Sequence, residues 1–210
     1  MDFKQVMDNR RSVNFFDPEK DVPEDVLRQI IETAAKSPSS FNLQPWSVMV
    51  LRDVEEKRRL QKHAWDQPKV SEAPVTLIFL ADTDAWQPGH RFLEKDFDSM
   101  VKVGMMSESQ RDWFYNACKN LYGDSPDRQV AFACKNTGFF AMSVMLAAKD
   151  LGIDTHPMDG FDIEGVQTEF RIPENYWIPL LLAVGHFRSD KTLLPAKWRK
   201  SYEELVVRFE

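Results

Sequence analysis

Cysteine is nearly absent from this 210-residue chain: Cys118 and Cys134 lie far apart and not as CxxC. Two such residues cannot make a disulfide framework. They read as reduced, partly buried thiols, with a redox or nucleophilic role as the lesser alternative. Histidine is also sparse, and His63, His90, His156 and His186 show no metal-ligand spacing, so no metal site is expected. Net positive charge is lacking as well. The formal charge is −6 and the isoelectric point about 5.3, which argues against a nucleic-acid partner. No apolar run approaches the ~18 residues of a membrane span. Met1-Asp2-Phe3-Lys4 lacks the apolar core of a signal peptide, so the expected location is the cytoplasm, without a membrane partner.

Several chemical signatures are missing too. No GxGxxG follows a strand, so a Rossmann dinucleotide fold is not signalled. No GxxxxGK followed by Ser or Thr is present, which excludes P-loop phosphoryl transfer. There is no GxSxG elbow, and the serines and histidines suggest no hydrolase triad. No internal repeat, low-complexity tract or Gly/Ser linker divides the chain.

What remains is a chain with 43% hydrophobic and 29% charged residues and a mean hydropathy of −0.44. That is enough apolar material for one folded unit over 1–210 with its own core. Phe3, Val6 and Met7 suggest a short first helix ending near Arg10. From Pro23 to Lys36 an apolar stripe through Val26, Leu27, Ile30, Ile31, Ala34 and Ala35 predicts a second. Trp46 to Leu51, Val75 to Ala81 (VTLIFLA) and Ile178 to Val184 (IPLLLAV) read as buried strands. Asp53 with Glu56 suggests a capped, charged helix to about His63. Residues 82–127 are more polar, with scattered aromatics, and read as a helical excursion outside the sheet. Arg128 to Leu151 is the longest apolar helix, with Gly152 as its cap. Asp162 starts another short helix. The tail, about 187–210, reads as an extended C-terminal extension until a capped turn at Ser201 and Glu204. Helices alternating with buried strands give an α+β class, an α/β sandwich.

Four segments carry chemistry. Arg10-Arg11-Ser12-Val13-Asn14 places a guanidinium and a hydroxyl on one side of extended chain, a fit for phosphate; a solvated helix end is the plainer reading. Ser37 to Trp46 (SPSSFNLQPW) crowds hydrogen-bonding side chains between a helix and a strand, as a functional loop or an ordinary helix stop would. His156-Pro157-Met158-Asp159-Gly160-Phe161 fixes a tight turn, in which Gly160 permits close approach to a ligand and backbone N–H groups can face a heterocycle; a connector would look the same. In the tail, LLPAKWRK puts Lys197 and Arg199 two apart. Five basic residues and one acidic one lie between Arg188 and Lys200, as a phosphate grip or a solvated patch.

Taken in order, these segments resemble the nitroreductase family. The family shows an RRS-type motif, then SPSS-x-N-x-QPW, a long central helix, a turn ending in Pro-Met/Ile-Asp/Glu-Gly-Phe, and a terminal K-x-R. Arg10 to Ser12, Ser37 to Trp46, Gly152 to Phe161 and Lys197/Arg199 stand in those places, so the likeness runs over about 1–200. It implies a mixed four- to five-stranded sheet flanked by helices, in an intertwined homodimer with two FMN molecules at the interface. It also implies ping-pong reduction of small electrophiles, nitroaromatics or quinones, with NADH or NADPH as donor. Arg10, Arg11, Ser12, Lys197 and Arg199 would hold the phosphate and ribityl chain. Pro157, Met158, Asp159 and Gly160 would line one flavin face and present backbone N–H to N5. Pro38, Ser39, Ser40 and Asn42 would come from the second subunit. Lys69 would contact the pyrimidine edge, with Asp66 as a further polar contact. No side chain is expected to act as a catalyst, because the flavin carries the chemistry.

One position departs from the family. Two residues after the serine the family commonly has Lys or Arg, and here Asn14 stands. Asparagine donates a hydrogen bond without charge, which leaves Lys69 as the main cation and implies a less easily reduced flavin. Trp86, Trp113 and Phe114 mark 82–127 as a pocket lid or as packing. Within the superfamily a dehalogenase or dehydrogenase is the alternative, and outside it a non-catalytic FMN-binding protein.

Overall fold

The computed structural model describes residues 2–209. At its centre is β2, Val75–Asp82, with all eight residues buried. A strand covered on both faces takes a near-continuous apolar run, and VTLIFLA supplies one, with the buried Thr76 hydroxyl donating to the Val70 carbonyl at 2.9 Å. On one side of β2 runs β1 (Trp46–Leu51), and on the other β5 (Leu181–Gly185), with β3 (Asp154–Met158) beyond it. The short β4 (Tyr176–Trp177) pairs with the far end of β2. These pairings are all antiparallel. The parallel part of the expected mixed sheet is one bridge, Ser12 to Thr155, at the outer edge of β3.

Strand alternation sorts the core into two layers. Val75, Leu77 and Phe79 point to one face with Leu182 and Val184. They pack under α2 (Glu24–Ala34) and α7 (Pro126–Asp150) through Ile30, Phe140 and Val144. Ile78 and Leu80 point to the other face with Met158, Leu181 and Ala183. There they meet α3 (Val54–His63), α4 (Lys69–Glu72) and α8 (Ile163–Phe170) through Leu60, Val70 and Val166. Helices on both sides of a five-stranded sheet make the α+β fold that the sequence led us to expect.

Residues 82–127 build α5 (Arg91–Lys102) and α6 (Arg111–Cys118) over a third cluster. Trp86 and Phe114 are buried in it, whereas Trp113 stays 59% exposed. Both cysteines are free. Burial, with the Asp96 charge adding to it, pushes the Cys118 thiol up to about 12, and burial pushes Cys134 to about 11.

Four local expectations need correcting. β1 is an edge strand with Val50 exposed, and among its residues only Leu51 is buried. The strand expected from Ile178 begins at Leu181, because Pro179 has no N–H for a ladder. The segment read as a turn from His156 is strand β3 as far as Met158. Pro157 is tolerated there because β3 lies at the sheet edge. Lastly, α7 is, by length and composition, the one helix among the described residues long and apolar enough to cross a membrane. Lys135, Asn136, Thr137 and Ser143 interrupt its apolar run, which is why the sequence shows no continuous span. Its buried stripe packs on β2 as a core helix.

Candidate functional site

The helix α1 (Phe3–Asn9) is closed at its start by Asp2, which accepts from the Gln5 N–H, and ends at Arg10 in extended conformation. From Arg10 the chain runs along the edge of β3, with the Val13 N–H on the Thr155 carbonyl at 3.2 Å. Val13 is buried, so its neighbours Ser12 and Asn14 turn the other way. They line a cavity of about 550 Å³ together with Arg10, Arg11, His156 and the tail. Arg11 Nη2 donates to the Leu194 carbonyl at 2.7 Å, holding the tail against this segment. That contact brings Lys197 and Arg199 into the same cavity.

The electrostatics of this cavity are one-sided. Among the described residues, Arg10, Arg11, Lys197 and Arg199 line it and no carboxylate does, on a chain whose net charge is −6. Burial, then Arg199 and then Arg11, push the Arg10 guanidinium below its ordinary value. Like charges held together without a counter-charge cost free energy, which an anion would relieve. Guanidinium groups beside a hydroxyl suit phosphate oxygens.

A second cluster adjoins the end of β3. Gln67 Nε2 donates to the Gly160 carbonyl at 2.9 Å and to the Ala64 carbonyl at 3.1 Å, while its Oε1 accepts from Lys69 Nζ at 3.1 Å. Burial lowers the Lys69 ammonium. A methyl group at Gly160 would stand 2.8 Å from the Trp65 ring, so a larger residue here would have to push that indole aside. Trp65 and Asp66 both have left-handed backbone, φ +53° and +52°, which is costly for residues other than glycine. Reciprocal bonds between Gln61 and Asp66 hold that geometry. The Trp65 indole is nevertheless 75% exposed. Neither Trp65 nor Gln67 was singled out in the sequence; the available signal was one tryptophan in a polar stretch just before Lys69. Asp159 is exposed and Pro157 half-buried. The side chain of Met158 belongs to the core, which leaves its backbone as the part available to a ligand.

The SPSS loop lies elsewhere. Ser39 Oγ accepts from the Gln44 N–H at 2.9 Å, and Ser40 contacts Asn136 and Lys135. Asn42 Nδ2 donates to Asp96 Oδ1 at 2.7 Å, tying the loop to α5. Pro38 borders a separate cavity of about 510 Å³ beside α1, α2 and α7. Within one chain, none of these four residues lines the cationic cavity.

Residues 7–186 match the model of the Nitroreductase family. The chain belongs to that family. A protein from Thermus thermophilus named NADH dehydrogenase is 31% identical over 188 residues, covering 89% of this chain and 87% of that one. Protein DrgA of Synechocystis is 28% identical, covering 90% and 86%. Among solved structures, a nitroreductase-like protein from Streptococcus mutans superposes with a TM-score of 0.85 at 27% identity, covering 100% and 98%. A structure from Exiguobacterium sibiricum, determined in complex with FMN, gives 0.77 at 26% identity, covering 95% and 98%. The matched nitroreductase region ends before Lys197 and Arg199, so half of the cation set lies in the tail outside it.

Proposed function

We propose that this nitroreductase-family chain is an FMN-dependent oxidoreductase that takes hydride from NADH or NADPH and reduces small electrophiles such as nitroaromatics or quinones. The observation that carries the reading is the acid-free cavity, where four cations, Ser12 and Asn14 face one space. FMN fits that donor set, because it joins a phosphate dianion through a polar chain to a planar ring. Arg10, Arg11, Ser12, Lys197 and Arg199 would hold the phosphate and ribityl chain. The backbone of Pro157, Met158, Asp159 and Gly160 would line the ring and offer N–H groups to it. Lys69 and Asp66 would meet its pyrimidine edge.

Bound FMN supplies two-electron chemistry, accepting hydride from a nicotinamide and delivering it to an acceptor. The protein's own contribution is position and charge. Gln67 fixes the Gly160 backbone and Lys69 together, and Lys69 keeps a cation beside the ring edge. Trp65 presents an exposed indole next to Gly160, where a flat nicotinamide or acceptor could stack. One pocket serving donor and acceptor in turn removes the need for a Rossmann domain.

The reading includes a homodimer in the cytoplasm. Pro38, Ser39, Ser40 and Asn42 lie away from the cavity of their own chain, which supports their reaching a second subunit's flavin. Helices α5 and α6 would form the lid. Arg111 binds Glu94, Asp98 and Glu108 and lies over the Phe97 ring, so the two helices would move as one body.

The test is the visible spectrum of the purified protein. A flavin band bleached by NADH or NADPH and restored by a quinone is the expected result. A colourless protein that takes up no FMN overturns the proposal.

A further inference from the structure

His156 also lines the cationic cavity, and the phosphate grip leaves it without a role. His156 lies on β3 opposite Ala183, on the sheet face of Met158 and Leu181. Its Nδ1 is 2.9 Å from the Val13 carbonyl oxygen. A carbonyl oxygen only accepts, so Nδ1 carries the hydrogen and Nε2 keeps its lone pair. Nε2 has no hydrogen bond among the described residues, and the ring borders the same cavity as Asn14.

The charges around this imidazole are of one sign. Lys69 acts on it from α4, Arg10 and Arg11 come from the segment after α1, and Lys197 and Arg199 from the tail. The facing stretch of β5, Leu181 to Gly185, carries no charge. Asp154, two residues earlier on β3, is committed to Lys149 Nζ at 3.0 Å and the Phe187 N–H at 3.2 Å. Burial first, then Lys69, hold the imidazole below its ordinary value, with the Val13 hydrogen bond opposing. With Nδ1 donating to Val13, Nε2 is left turned to a cavity in which no acid stands among the described lining residues.

We propose that His156 is a proton acceptor coupled to reduction in this cavity, binding a proton at Nε2 when two electrons arrive beside it and releasing it when they leave. The inference rests on the FMN reading above. Hydride from NAD(P)H brings two electrons and one proton and leaves NAD(P)⁺. A second proton comes from solvent to Nε2, and the imidazolium then offsets the new negative charge that neutral Asn14 cannot. When the acceptor takes the hydride away, that negative charge disappears and Nε2 returns its proton to solvent. The cations that keep the resting ring neutral also make its protonation conditional on that new charge.

The test is the midpoint potential against pH for purified holoprotein, wild type beside His156→Gln, which retains an N–H for Val13 but no base. Wild type is expected to bind one more proton per electron pair near neutral pH than the variant. Equal proton counts overturn the proposal. Nitrogen-15 histidine spectra of the holoprotein provide a second measurement that needs no variant. His156 should be neutral when oxidised and doubly protonated when reduced. The same protonation in both states, including a ring already charged once FMN is bound, overturns it. Holoprotein that shows its flavin band but fails these tests refutes the His156 role alone. Protein that takes up no FMN refutes the earlier reading and this inference with it.

Discussion

The Gln67 amide donates to the Gly160 carbonyl 2.9 Å away while its oxygen accepts from Lys69 at 3.1 Å. One uncharged side chain therefore sets the spacing between the turn after β3 and Lys69. Replacing Gln67 by Leu removes these bonds and frees Lys69. With three bonds lost, to Gly160, Ala64 and Lys69, each contributing about 0.5–1.5 kcal/mol, urea unfolding should show a loss of about 1.5–4.5 kcal/mol. FMN titration should show weaker binding as well. Unchanged FMN affinity would mean that this brace serves the fold and not the site.

The cation set predicts opposite effects on binding and on stability. Arg10→Ala should weaken FMN about 10- to 100-fold, as expected for losing one charge-assisted contact of roughly 1.5–3 kcal/mol. The same change should leave the FMN-free protein as stable as wild type or more so, because Arg199 and Arg11 already push on Arg10. Fluorescence titration and thermal unfolding without FMN check the two halves separately.

His156 predicts a pH effect in the FMN-free protein. Its folded value lies below the ordinary 6.5, so between the two the unfolded chain binds the proton and the native one does not. Stability from this group is full above about 6.5 and is lost as pH falls toward the folded value. The difference in unfolding free energy between wild type and His156→Gln should move in that direction across this window. A pH-independent difference would contradict it.

Asn42 and Asp96 form the fourth test. Asp96 is buried, and burial raises its carboxyl while the Asn42 hydrogen bond lowers it. A carboxylate in that position is ionised at a cost at neutral pH, and the cost disappears only on protonation. Asp96→Asn should therefore stabilise the protein at neutral pH. Asn42→Ala, which leaves the buried carboxylate unpaired, should destabilise it by about 1–3 kcal/mol. Melting temperatures of the two variants must shift in opposite directions.

The parts of this molecule legible in its sequence are those decided locally. VTLIFLA reads as a doubly covered strand because burial on both faces leaves no alternation to choose. Gly152 closes α7 as its sequence suggests, whereas the helix starts at Pro126 under a Ser125 cap, two residues before the expected Arg128. Arg10, Ser12, Lys197 and Arg199 stand in short local motifs, and the fold brings them together across more than 180 residues. What stayed hidden depends on neighbours. Pro157 suggests a turn until β3 is known to be an edge strand. Val50 looks buried until β1 proves to be one too. Gln67 and Trp65 gain their roles from Gly160, which no spacing in the sequence connects to them.

The cavity's two walls are hung separately. Arg10 and Arg11 lead directly into Ser12, which is bridged to β3, and the tail, exposed throughout from Lys191 to Phe209, is held to them by Arg11 on Leu194. Left alone, the two groups of positive charge push each other apart, opposed by the Arg11 hydrogen bond and, nearer the start of the tail, by the contacts of Arg188 and Lys191 with Phe15. A dianion between them would reverse the sign of that force. The site then behaves as a clasp fastened by what it holds, and the tail's order becomes a measure of whether the protein is loaded.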